Sequence, residues 1–126
     1  MTGSPHDAHL AAAPEAVRPR LAAIQAEVER RVPEAERCTG YAMPAYRRGK
    51  IFLYFAAFKK HIGVYPPLHA PADLVAELAP YRGPNGNLVF PHDRTFPLDL
   101  IGRTAAALAA QYAPLASGED SRSPRA

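Results

Sequence analysis

The sequence predicts an α+β domain: a mainly antiparallel sheet of four to five strands, with the N- and C-terminal helices packed on one face and a short helix before the last strand. Three observations predict it. Apolar residues recur at helical spacing near both ends of the chain, at Val17, Leu21, Ile24, Val28 and Val32, and again at Ile101, Ala105, Leu108 and Tyr112. Between them lie short apolar and aromatic runs joined by turn residues, the pattern of consecutive antiparallel strands. Two amphipathic helices must bury their stripes, and one face of a sheet offers the surface.

The first helix reads from "PEAVRPRLAAIQAEVERRVPEAE". Pro14 suits a first turn. Pro19 is awkward inside a helix, so either the first turn is distorted or the regular part begins near Arg18. Pro33 ends it, because Val32 is pushed out of the helical region. "ERCTGYAM" reads as the first strand, with a bulge at Gly40 and an interruption at Pro44. "AYRRG" is a short strand running into a turn at Arg48-Gly49. "IFLYFAAF" is an eight-residue apolar run whose aromatic content favours a strand. Lys59-Lys60 reverses the chain, and "HIGVYP" returns with Ile62 and Val64 on one side and His61, Gly63 and Tyr65 on the other. "APADLVAELAPY" is a short helix, "RGPNGN" a loop and "LVFP" a last strand. In the closing helix Pro97 takes the first turn, with Thr95 or Phe96 near the cap.

The 126 residues suffice for one domain. Its expected extent is residues 14–115, between frayed or disordered tails at residues 1–13 and 116–126, which are small, polar and aperiodic. The start lacks the pattern of a signal peptide, and no apolar stretch is long enough to span a bilayer. The expected compartment is the cytosol. One cysteine, Cys38, leaves no internal disulfide and no cysteine-based zinc site, and reads as a small buried hydrophobe. The net charge is +3, and +4 between Pro14 and Pro114. That surplus permits an anionic ligand without requiring one.

No catalytic or metal motif is spelled out. There is no G-x-S-x-G, P-loop or Rossmann glycine pattern, and no pair of histidines at ligand spacing. An enzyme would need a site assembled in space that the sequence does not mark. Arg47, Arg48 and Lys50 lie at one end of the Ile51–Phe58 strand, Lys59 and Lys60 at the other, roughly 26 Å apart at about 3.3 Å per residue. These five cations form no single stripe, which argues against nucleic acid. Glu27, Glu34 and Glu36 near the end of the first helix are the candidates for a hard metal ion, but they alternate with arginines and read first as surface ion pairs. The remaining candidate surface is aromatic. If one sheet face stays open, Tyr41, Met43, Pro44, Tyr46, Phe52, Tyr54, Phe58, Tyr65 and Phe90 line an apolar patch with His61 at its rim, and within it Tyr41, Met43, Pro44, Tyr46, His61 and Tyr65 are the candidates for meeting a ligand or partner. The same patch would serve a homodimer contact, or simply complete the core.

"YAMPAYRRGKIFLYFAAFKKHIGVYP", from Tyr41 to Pro66, resembles the signature of the YdhG-like domain-of-unknown-function family. "NGNLVFP" and "FPLDLI" resemble that family's later strand and helix start, and the similarity spans residues 14–113. Ala42 stands where glycine is usual and Asn85 where lysine is frequent. The positions matching the signature are Met43, Pro44, Lys50, Phe55, Lys59, His61, Gly63, Tyr65, Phe90 and Pro91. The resemblance implies a frataxin-like architecture. It also implies, from members described as intracellular iron chaperones, a role in iron delivery. Such a role calls for an acidic surface, and this core is net positive. The expected function is therefore a small binding protein for a small molecule or a protein, with Lys50 or Lys59 meeting an anion. Iron chaperoning through Glu27, Glu34 or Glu36 is the alternative, and an unmarked enzyme a third. No cofactor other than iron is implied.

Overall fold

The computed structural model describes residues 4–83 and 86–114. In chain order they form α1 (Asp7–Ala12), α2 (Arg18–Arg31), β1 (Glu36–Gly40), β2 (Met43–Arg48), β3 (Lys50–Ala57), β4 (His61–Tyr65), α3 (Ala72–Glu77), a 3-10 turn (Ala79–Tyr81), β5 (Leu88–Pro91) and α4 (Leu98–Tyr112). The strands make one five-stranded sheet in the order β1-β2-β3-β4-β5, antiparallel at every step. This is the predicted α+β class, with a helix at each end and a short one before the last strand. The tail expected at residues 116–126 lies outside the described residues.

Local chemistry sets the helix ends. α2 starts at Arg18 with Pro19 in its first turn, where a missing N–H costs nothing. Val32 leaves helical geometry at φ −128°, ahead of Pro33. α4 is capped at Pro97, one residue later than Phe96. α2 and α4 pack together, and α4 lies on β3. At Gly102 an added Cβ would stand 2.5 Å from Arg31 Nε, so the helices approach closely there.

The expected first strand, "ERCTGYAM", is two strands. Tyr41 and Ala42 form a two-residue turn, both left-handed at φ 52° and 61°. That conformation suits glycine, so Ala42→Gly is expected to stabilise the domain by about 0.5–1 kcal/mol. Urea unfolding checks this as a higher midpoint at unchanged slope. Pro44 does not interrupt pairing; it sits inside β2 opposite Thr39. Its missing N–H removes no rung to β3, because that ladder begins at Ala45↔Tyr54. The register irregularity falls at Tyr46/Arg47 and not at Gly40. Tyr46 pairs with Leu53 and Arg47 with Ile51, so Phe52 is an extra residue on β3. Phe52 and Leu53 are accordingly both fully buried.

Strand alternation divides the sheet into two faces. Tyr46, Leu53, Phe55, Ile62, Val64, Leu88 and Phe90 point to the helix side. There they join Leu21, Ile24, Val28, Ile101, Ala105 and Leu108 in one core. Ala45 and Ala56 are buried too, yet lie outside that cluster, on the other face.

The N-terminal expectation needs correction. Residues 4–13 are not a frayed tail: α1 forms, and His6 is completely buried. A short polar segment without periodicity still docks when its side chains satisfy groups that burial would otherwise orphan. His6 does this through Ala45 and Gln25, and His9 through Ala57.

Candidate functional site: the open sheet face

The face away from the helices has a floor of small residues. Gly40 and Gly63 are tied to two tyrosines. A Cβ added at Gly40 would lie 2.7 Å from Tyr54 Cε2, and one at Gly63 would lie 2.8 Å from the Tyr65 hydroxyl. The rings therefore lie over the glycines, and only glycine leaves them room. Tyr54 and Tyr65 are direct cross-strand partners. Tyr41, in the β1–β2 turn, leans on Tyr54 with ring centres 5.4 Å apart and is 84% exposed. Burial raises the Tyr54 phenol above its ordinary value. Cys38 shares this face opposite Ala45; it is half-buried, and burial raises its thiol.

His61 occupies the far end of β4, paired with Pro91 of β5. Its ring lies tilted against Phe58, with ring centres 5.1 Å apart, and Phe58 is itself 41% exposed. Among the described residues the His61 ring makes no hydrogen bond and is half-buried. The open face is thus partly roofed by its own tyrosines, but His61 is not locked to the backbone.

Of the eight predicted ligand residues, alternation separates some and unites others. Tyr41, Met43, His61 and Tyr65 belong to the open face or its rim. Pro44 and Tyr46 do not: both are buried, on the helix side. Met43 and Tyr46 are three residues apart, an odd number, so a pleated strand must point them oppositely. Tyr46 is fully buried, and its hydroxyl donates to Glu29 Oε2 at 2.5 Å. Burial, and then Glu29, push its phenol up. Lys50 and Lys59 are exposed at opposite ends of β3.

The three predicted metal candidates do not converge. Glu27 accepts from Arg30 and Arg31, which hold its carboxyl below the usual range. Glu34 faces Arg48 at 3.4 Å, and Glu36 faces Arg47 at 3.1 Å. Among the described residues no group of three or more His, Cys, Asp or Glu side chains is placed to hold a metal ion. No helix among them is long and apolar enough to cross a membrane.

Sequence reasoning missed the polar cluster under β2. His6 Nε2–H donates to the Ala45 carbonyl at 2.8 Å, so Nδ1 accepts from Gln25 Nε2 at 2.9 Å. The ring sits edge-on to Tyr46 and Phe55. Glu29 accepts from Arg37 at 2.6 Å as well as from Tyr46. Burial works to raise the Glu29 carboxyl, but these two hydrogen bonds outweigh it and hold it low. Tyr54 belongs to the aromatic set the sequence placed in or beside the sheet but not to its ligand candidates, although its pairing with Tyr65 follows from the turn at Lys59-Lys60.

No family model matches the chain, and no curated protein matches it. Among solved structures it is similar to the crystal structure of a protein from the DUF1801 family (YdhG) of Bacillus subtilis. The TM-score is 0.65 at 17% identity, covering 84% of this chain and 87% of that one. At that identity the likeness shows the fold, and at that level it bears out the YdhG-like resemblance of the Tyr41–Pro66 block.

Proposed function

We propose that this chain is a YdhG-like binding domain that engages a partner protein through the open sheet face. One observation carries the reading. A sheet whose helices all pack on one side presents Tyr54 and Tyr65 over a glycine and alanine floor, with Tyr41 84% exposed at the rim. A large exposed aromatic beside other half-buried ones is costly to leave in water and is typical of contact surfaces. Tyrosine offers broad area with little side-chain entropy to lose. Iron delivery, by contrast, draws on the family resemblance, and Glu27, Glu34 and Glu36 are each held by arginine.

A photo-crosslinking residue in place of Tyr41 tests the reading in the native cell. Crosslinks to one defined protein are expected, lost when Tyr65→Ala is added. Tyr41→Ala alone is expected to shift stability by less than about 0.5 kcal/mol, since the side chain is exposed. Crosslinking that ignores Tyr65→Ala, or yields only a diffuse set of products, overturns the proposal.

A further inference from the structure

We propose that the outer edge of β1 is a self-association surface, on which a second copy of this chain adds its own β1 antiparallel about Cys38. The edge is a different surface from the Tyr54–Tyr65 face, so this proposal stands apart from the partner-binding reading.

The two edges of the sheet differ. An edge strand presents unpaired N–H and C=O groups, and proteins cover or block it. β5 shows both devices. Arg82 bridges to Leu88 along its outer side, and the strand ends in Pro91, which has no N–H to offer. The Arg20 guanidinium also donates to the Pro91 carbonyl at 3.4 Å. β1 shows neither device. It pairs with β2 alone, contains no proline, and carries an exposed Thr39. Turn geometry says which of its backbone groups face out. A two-residue hairpin turn closes on a hydrogen-bonded pair, here Gly40 and Met43. Bonded and unbonded pairs alternate from there, so Cys38 and Glu36 bond to β2 while Arg37 and Thr39 turn their N–H and C=O groups outward. Among the described residues no backbone group outside the β1–β2 ladder bonds to Arg37 or Thr39.

The strand matches itself. It has five residues, with Cys38 at the centre. Antiparallel pairing about Cys38 sets Arg37 against the partner's Thr39 and Thr39 against the partner's Arg37, and each pair exchanges both N–H···O bonds. Glu36 falls opposite the partner's Gly40. No bare charges meet at the seam, because Arg37 is held by Glu29 at 2.6 Å and Glu36 by Arg47 at 3.1 Å. Tyr41 follows Gly40 and is 84% exposed. In this register it comes up to the partner's Glu36 and the partner's Arg47 on the open-face side, and an aromatic ring beside a guanidinium is attractive. The pairing is two-fold and closed, so it consumes the free edge without building a fibre. Five residues of edge bury far less than the roughly 1,600 Å² of a standard interface. The dimer is therefore weak and depends on concentration.

Sedimentation velocity of the full chain under reducing conditions, from about 10 µM to 1 mM, is expected to show a monomer–dimer equilibrium. Thr39→Pro removes an outward N–H and is expected to raise the dissociation constant by about tenfold or more. Melting in dilute solution should stay within a few degrees, because Thr39 is exposed. Thr39→Lys sets a cation beside the partner's Arg37 and is expected to act the same way, which decides the matter should the proline variant fold poorly. Cys38 reports the register. An unbonded antiparallel pair has Cα atoms about 4.5 Å apart, within the span of a disulfide. Diamide, which takes up the two thiol hydrogens, is therefore expected to link Cys38 to the partner's Cys38 in the wild type, and far more slowly in the Thr39 variants. A chain that stays monomeric throughout the range overturns the proposal. So does a dimer that survives both Thr39 substitutions, one that dissociates on Tyr65→Ala instead, or one that diamide leaves unlinked.

Discussion

Tyr46→Ala is expected to remove a large share of the stability of this domain. The side chain is fully buried, stacks with Phe55 at 6.2 Å and meets His6 edge-on at 5.0 Å. Truncating a buried aromatic costs about 3–5 kcal/mol. Domains of this size have about 5–15 kcal/mol in total. The change also takes from Glu29 one of the two hydrogen bonds that hold its carboxylate beneath α2. Tyr46→Phe separates the two contributions, keeping the ring and losing only the hydroxyl, at about 1–2 kcal/mol. Urea unfolding of the three proteins, read at equal slope, is the measurement. A Tyr46→Ala midpoint close to wild type would show that this tyrosine is not part of the core. It would then return to the set of ligand residues in which the sequence placed it.

Acid is expected to undock the N-terminal segment and cost the domain stability. His6 accepts from Gln25 at Nδ1 while donating from Nε2, and His9 Nε2 accepts from the Ala57 N–H at 3.0 Å. Both arrangements need a neutral ring. Burial lowers both histidines below 6.5; around His6 the Ala45 carbonyl and Glu29 oppose this and Arg37 assists it. A histidine lowered in the folded state gains its proton first in the unfolded chain. Its stabilisation is therefore present above pH 6.5 and lost as pH falls through the folded value. Unfolding free energies measured between about pH 7.5 and 5 should fall in the wild type, and more gently in His6→Ala. His6→Ala should itself cost roughly 2–4 kcal/mol at neutral pH, because the Ala45 carbonyl and the Gln25 amide lose their partner inside the core. Parallel pH profiles for the two proteins would show that His6 is not the titrating latch.

Both expectations concern residues whose role the sequence concealed, and for different reasons. His6 meets Ala45 across a separation of 39 residues, and nothing local in "SPHDAHL" announces a partner. Tyr46 was misplaced by phase. Alternation within "HIGVYP" correctly put Ile62 and Val64 inward, because the strand is short and continuous. Across "YAMPAY" the same rule fails unless the turn at Tyr41-Ala42 is known, since a turn resets which parity faces the core. The extra residue at Phe52 resets it again.

The sequence by itself determined the two helical stripes, the strand-turn rhythm, the short helix before β5 and hence the layered α+β fold. These are set by contacts within a few residues, where spacing and turn chemistry suffice. It also located Tyr41, Met43, His61 and Tyr65 on or beside the exposed face, and it set Lys50 and Lys59 at opposite ends of β3. Only the tertiary structure decided that Pro44 and Tyr46 turn inward and that His6 is a core residue. It alone set His92 against the Lys59-Lys60 turn, through hydrogen bonds to the Lys60 and Phe58 carbonyls. Those outcomes depend on register and on which distant backbone groups need a partner once water is excluded, and neither quantity has a local signature.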